Sequence, residues 1–220
     1  MKNSALTFWV FVLFVAAIAY AALYTIKHQD NSADPYTSAA APSGASMTGT
    51  VKPFALTDQD GNEFDTKNLD GQVWVASFFF SSCPQVCLQM NQKLAKVQED
   101  KRFADVKFVS ITCDPDNDKP SILKQYGQKF AADDQRWKFL TGDQETITQV
   151  GLGLGITVKK ITHSDRIILV DRNGEIRGAF ITSDNDQWEF SQRALLKLVA
   201  EPIKPLVEPS KPVNEPSKPE

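Results

Sequence analysis

Apolar spacing divides the chain into a long uniform run, a polar stretch, an alternating region and a proline-rich end. Ala5 to Ile26 is apolar apart from Thr7 and Thr25 and carries no charge. At about 1.5 Å per residue such a run spans a hydrocarbon core of about 30 Å. Trp9, Tyr20 and Tyr24 lie toward its ends, where interfacial aromatics sit. The pattern predicts one N-terminal transmembrane helix within an anchor at 1–27. The alternative is a cleaved signal peptide, with Ala19-Tyr20-Ala21 as its small-residue site. The apolar run exceeds an ordinary signal core, which favours the anchor. Either reading carries the rest of the chain across a membrane. Residues 28–50, rich in Ser, Ala, Thr, Gly and Pro, predict a flexible linker, with His28 at its membrane end.

Alternation and short apolar runs then predict a folded domain over 51–200. Asp60-Gly61 between two short alternating segments reads as a hairpin turn. Val73 to Phe80 reads as a buried strand, and a helix follows from Pro84 to about Glu99. Val106 to Thr112 gives a second strand, and Asp118 before Lys119-Pro120 reads as the cap of a helix reaching about Phe130. Trp137 to Leu140 is a short strand, and Asp143 or Thr141 caps a helix through about Leu152. The glycines of Gly151-Leu152-Gly153-Leu154-Gly155 follow a helix and lack a Lys-Ser/Thr ending, so they mark a helix terminus and no phosphate loop. Arg166 to Val170 and Glu175 to Phe180 form a hairpin around Asn173-Gly174, and a last helix spans Gln187 to Val199. This order predicts an α/β fold: a thioredoxin-like sheet with flanking helices. From 201 on, Glu-Pro-x-Lys-Pro recurs at Glu201, Glu208 and Glu215, and its prolines predict a disordered, extended tail.

Composition narrows the function. The net charge is −3 with no basic cluster, which excludes nucleic acid as a partner. Three cysteines are too few for a disulfide framework, and only two histidines, His28 and His163, are available as ligands.

The chemistry gathers at Cys83-Pro84-Gln85-Val86-Cys87. A helix starting at Pro84 would set residues four apart on one face and bring both sulfurs together. A thiol at a helix N-terminus also ionises more readily. Such a pair serves a soft metal, a redox couple or a structural disulfide, although so short a loop adds little stability. In the redox reading Cys83, nearer the helix start, is the nucleophile and Cys87 the resolving thiol. No Thr and Arg of the peroxide-activating kind accompany the cysteines. In the thioredoxin-like order the loop before the hairpin's first strand lies beside the thiol helix, so His163 can approach the pair. Met90 is a further soft donor, but on an apolar helix face it reads as core. Cys113 reads as a buried small residue. Asp114, Asp116 and Asp118 lack the glycine and distal glutamate of a calcium loop.

Three motifs resemble the SCO/SenC family of membrane-tethered, thioredoxin-like copper proteins. They are Cys83-Pro-Gln-Val-Cys87 after the aromatic strand, Asp114-Pro-Asp-Asn-Asp118-Lys-Pro-Ser-Ile-Leu-Lys-Gln-Tyr126, and His163-Ser with Leu169-Val-Asp-Arg-Asn-Gly174-Glu-Ile-Arg-Gly178. The resemblance covers about residues 52 to 200. It implies copper, as Cu(I) or Cu(II), held by Cys83, Cys87 and His163. Its expected role is delivery to the dinuclear copper site of cytochrome c oxidase, through that enzyme's copper-accepting subunit. The alternative is a thiol–disulfide oxidoreductase that reduces that site's cysteines, itself served by a thiol reductant. Enzymatic activity stays open between the two. The expected place is a bacterial inner membrane with the domain in the periplasm, or else a mitochondrial inner membrane facing the intermembrane space. Two sulfurs and an imidazole would also suit zinc. Against the family pattern, Leu88 stands where proline is common, Lys119 where threonine is, and Thr162 where aspartate is frequent. Cys113 is unexpected.

Overall fold

The computed structural model describes residues 49–158 and 164–202, together with Leu13, Ile18 and Tyr20. Two units are separable, Met1–Ser43 and Gly44–Glu220. In the first, the three described residues are exposed. The rest of the expected span at Ala5–Ile26, most of the linker and the tail beyond residue 202 lie outside the described residues. Among the described residues no helix is long and apolar enough to cross a membrane.

The second unit is built on a five-stranded mixed sheet. Its strands are β3 (Trp74–Phe79), β4 (Lys107–Thr112), β5 (Trp137–Leu140), β6 (Arg166–Val170) and β7 (Ile176–Ile181), ordered β5-β4-β3-β6-β7. A separate hairpin joins β1 (Ala55–Thr57) to β2 (Glu63–Asp65), turning at Gly61 with φ 83°, where a side chain would be strained. The helices are α1 (Val86–Glu99), α2 (Pro120–Gln128), α3 (Gln144–Gly153) and α4 (Asn185–Ala200).

β3 is buried at every position, as befits a central strand covered on both faces. It runs parallel to β4 and antiparallel to β6. Polar groups between the central strands are paired: Ser77 Oγ lies 2.9 Å from Ser110 Oγ, which also accepts Trp137 Nε1–H at 2.9 Å. Aromatic rings fill the space between β3, β5 and α2. Phe79 stacks on Tyr126 at 5.0 Å, and Trp137 on Phe139 at 5.2 Å. Asn91 Nδ2 of α1 donates to the Tyr126 hydroxyl at 3.0 Å, tying α1 to α2. On its other side Lys93 donates to Thr182 O at 2.5 Å and lies over the Trp188 ring of α4.

Several boundaries move. Thr50 bridges Glu175, so the fold takes in the end of the expected linker. Glu201, placed in the tail by its proline repeat, accepts from Arg172 and pairs with Arg177 at 3.2 Å, so the fold runs past residue 200. The glycine run does end α3: Gly155 has φ 70°, and a Cβ on Gly151 would meet Val158 Cγ2 at 2.3 Å.

Candidate metal centre

Cys83 precedes the helix instead of lying on it. After β3 the chain turns, and the Cys83 N–H donates to Phe80 O at 3.1 Å. Gln85 is the N-cap of α1, with φ −138° and ψ −65° and no side-chain cap bond. Pro84 therefore stands outside the helix, not at its first position. The two cysteines do not share a helix face. The Cys83 sulfur sits at the N-terminus of α1 and accepts the Cys87 N–H at 3.3 Å, taking one of the donors that a helix start leaves unpaired.

Burial dominates the electrostatics. Cys83 is 5% exposed, Cys87 0% and Cys113 1%. All three are thiols in this structure. Burial and the neighbouring Cys83 push the Cys87 thiol up to about 12. The Phe80 N–H at the Cys87 sulfur acts the other way and is outweighed. A helix start favours the thiolate in general, but at Cys87 removal from water wins. The Tyr126 hydroxyl beneath is raised as well, chiefly by burial.

The loop after β4 braces this turn. Asp118 is 1% exposed and does not cap α2, whose N-cap is Lys119. Its carboxylate accepts Ser81 N–H at 3.0 Å, the Ser81 hydroxyl, and the Thr112 hydroxyl at 2.5 Å. Thr112 Oγ1 accepts Asp114 N–H at 3.0 Å, and Asp114 accepts Asn117 Nδ2 at 2.8 Å. Cys113 N–H donates to Phe79 O at 2.7 Å, extending the β3–β4 pairing by one residue. The acidic cluster is therefore a hydrogen-bonded brace. Local pattern concealed Asp118, because its partners come from two strand ends.

His163 lies outside the described residues. Among those described, no group of three His, Cys, Asp or Glu side chains is arranged to hold a metal ion. Met90 is fully buried in the hydrophobic core. A cavity of about 620 Å³ between residues 51–54 and α3 contains no thiol, and its Asp143 is engaged in capping α3. The chemistry belongs to the cysteine turn.

Known proteins place this architecture. The SCO1/SenC family profile matches residues 42–195. The SCO1 protein homolog of Bacillus subtilis is 34% identical over 122 residues, 54% of this chain and 63% of that relative. The chain thus spans under two thirds of that relative's length. A SCO1/SenC family lipoprotein from Bacillus anthracis is similar at TM-score 0.62 and 34% identity, over 73% of this chain and 99% of that one. BsSco, of the Sco family of cytochrome c oxidase assembly proteins and the subject of an identified disulfide switch, gives TM-score 0.59 and 27% identity over 69% and 96%. ScoI of Bradyrhizobium japonicum with copper bound gives 0.56 and 26% over 68% and 99%. The profile match runs through the sheet, the thiol turn and most of α4, and the chain belongs to the SCO1/SenC family.

Proposed function

We propose that this chain binds copper as cargo between Cys83, Cys87 and His163 and delivers it to the dinuclear copper site of cytochrome c oxidase. One observation carries the third donor. β6 runs antiparallel to β3 with Ile167 opposite Ser77. The chain entering β6 therefore comes to the end of the sheet where β3 delivers the cysteine turn, and His163 precedes β6 by three residues. Two thiolates and an imidazole form a soft set suited to Cu(I), open on one side for release. Copper bound in Bradyrhizobium ScoI, and the oxidase-assembly role of the family that includes BsSco, support the cargo and the destination.

Binding must displace the Cys87 proton, so affinity rises with pH up to about 12. On the same reading, a membrane anchor at 1–27 and a linker beyond it hold the domain in the periplasm of a bacterium, with the oxidase's copper-accepting subunit as partner. The reading is tested by titrating the reduced full chain with Cu(I). One ion per chain is expected, with His163→Ala weakening it at least about tenfold. Unchanged affinity and stoichiometry in that variant rule out the three-donor site.

A thiol–disulfide exchange role is the second reading. It is favoured by the direct Cys87 N–H to Cys83 Sγ contact at 3.3 Å, and by the disulfide switch of BsSco. Failure of the reduced chain to exchange with a partner disulfide would remove it.

A further inference from the structure

We infer that Cys113 is a third redox thiol of this site: it exchanges with a Cys83–Cys87 disulfide to form a Cys87–Cys113 disulfide and release Cys83. The three cysteines meet at one two-residue strand end. Cys113 N–H donates to Phe79 O at 2.7 Å, Cys83 N–H donates to Phe80 O at 3.1 Å, and Phe80 N–H lies against the Cys87 sulfur. Thr112 pairs with Phe79 in the parallel register, so Cys113 stands one strand spacing, about 4.8 Å, from Phe80. Phe80 in turn carries the N–H that meets the Cys87 sulfur, so Cys113 and Cys87 flank the same residue.

The neighbourhood holds Cys113 in place. Thr112 before it donates to Asp118 at 2.5 Å, and Asp114 after it donates its N–H to Thr112 Oγ1 at 3.0 Å. Its charge is felt at Cys87, alongside that of Cys83.

The steps balance with a low-molecular-weight disulfide as oxidant. Cys83, the least buried of the three, attacks oxidised glutathione, and one glutathione thiolate leaves. Cys87 then attacks the Cys83 sulfur and expels the second, so two protein thiols are oxidised and one glutathione disulfide is reduced. Cys113 next attacks the Cys87 sulfur. The Cys83–Cys87 bond breaks, the Cys87–Cys113 bond forms, and Cys83 takes up the proton that Cys113 gives up. This last step is electron-neutral. Cys87, fully buried in the first turn of α1 and next to the Phe80 N–H, is the member common to both bonds. The product has a reduced Cys83 that cannot bind an ion together with Cys87.

The inference depends on the thiols alone and holds whether or not the site carries copper. The full chain, freed of metal with a chelator, is oxidised with glutathione disulfide, alkylated with N-ethylmaleimide in denaturant and digested without reduction. Trypsin leaves Cys83 and Cys87 on one peptide and Cys113 on another. The expected product is a cross-linked peptide pair with maleimide on Cys83, growing as the intrapeptide disulfide declines. Cys113→Val loses that pair entirely but keeps the intrapeptide disulfide, whereas Cys83→Ser, lacking the thiol that opens glutathione disulfide, loses both. Wild-type chain that yields only the intrapeptide disulfide overturns the inference, whether or not the variants fold. A failed Cu(I) titration leaves this result untouched, and the converse holds.

Discussion

The four α-helices described in the second unit begin in two different ways. α3 and α4 start on aspartates: Asp143 accepts Thr146 N–H at 2.8 Å, and Asp184 accepts the N–H groups of Asp186 and Gln187 at 3.0 and 3.1 Å. α1 and α2 start on Gln85 and Lys119, neither of which makes a side-chain cap bond. The uncapped pair are the helices that leave β3 and β4 at the cysteine end. There the groups that would serve as caps are used otherwise. The Cys83 sulfur takes a helix N–H, and Asp118 turns away from α2 to hold Ser81 and Thr112. Local rules are broken where the chemistry is, and the neighbouring structure compensates.

The largest test removes that compensation. Asp118→Ala strips the partners from the Ser81 N–H, the Ser81 hydroxyl and the Thr112 hydroxyl, all held by one buried carboxylate. Unpaired buried groups of this kind predict a loss of about 3 kcal/mol, read as a lower urea midpoint with an unchanged slope. Because Ser81 is two residues from Cys83, Cu(I) affinity should fall as well. A variant as stable as wild type would mean that the brace is incidental.

Alkaline pH loads the same end. Cys87 is held near 12 in the fold against an ordinary 9.0. Between those values the unfolded chain releases a proton that the fold retains, so rising pH favours unfolding. Stability is intact below pH 9 and falls toward pH 12 by about 1.4 kcal/mol per pH unit for a single proton. Tyr126, also raised, adds in the same direction at the upper end. Cys87→Ala should flatten the slope measured by denaturation at stepped pH. An equally steep variant would assign the loss to other groups.

How much of this was legible in the sequence follows the same division. Trp137–Leu140 and Arg166–Val170 coincide with the expected strands because short apolar runs between turn residues carry their own boundaries. The Asp143 cap was legible too, since its partner is three residues away. At the cysteine end the deciding contacts are long-range. Ser81 and Asp118 are 37 residues apart, and no local pattern reports such a bond. Asp-Lys-Pro therefore read as a cap, and Pro84 as the first helical residue. The raised Cys87 thiol was not legible for a related reason: helix position is written locally, whereas complete burial is a property of the whole core. His163 was reached from the expected order of elements and lies outside the described residues.

A smaller effect checks the capped half. Asp184→Ala removes the acceptor of two backbone N–H groups at an exposed helix start and should cost about 1 kcal/mol, with Cu(I) affinity unchanged. Asp143→Ala should act in the same direction. A change in copper binding from either would show that the two halves communicate.

The smallest effect discriminates between the two uncapped starts. Lys119 has φ −75° and ψ 159°, the extended backbone that capping residues adopt, whereas Gln85 at φ −138° and ψ −65° does not. A serine at position 119 can reach the free N–H groups of α2, at the loss of the Lys119 Nζ bond to Pro115 O at 2.9 Å. Lys119→Ser should therefore stabilise the chain by about 0.5 kcal/mol. Gln85→Ser should gain nothing, because its hydroxyl is not aimed along the helix and the Cys87 N–H is already taken by sulfur. Equal gains at both positions in urea denaturation would mean that the turn before α1 relaxes freely, and that Cys83 is not fixed by the helix it caps.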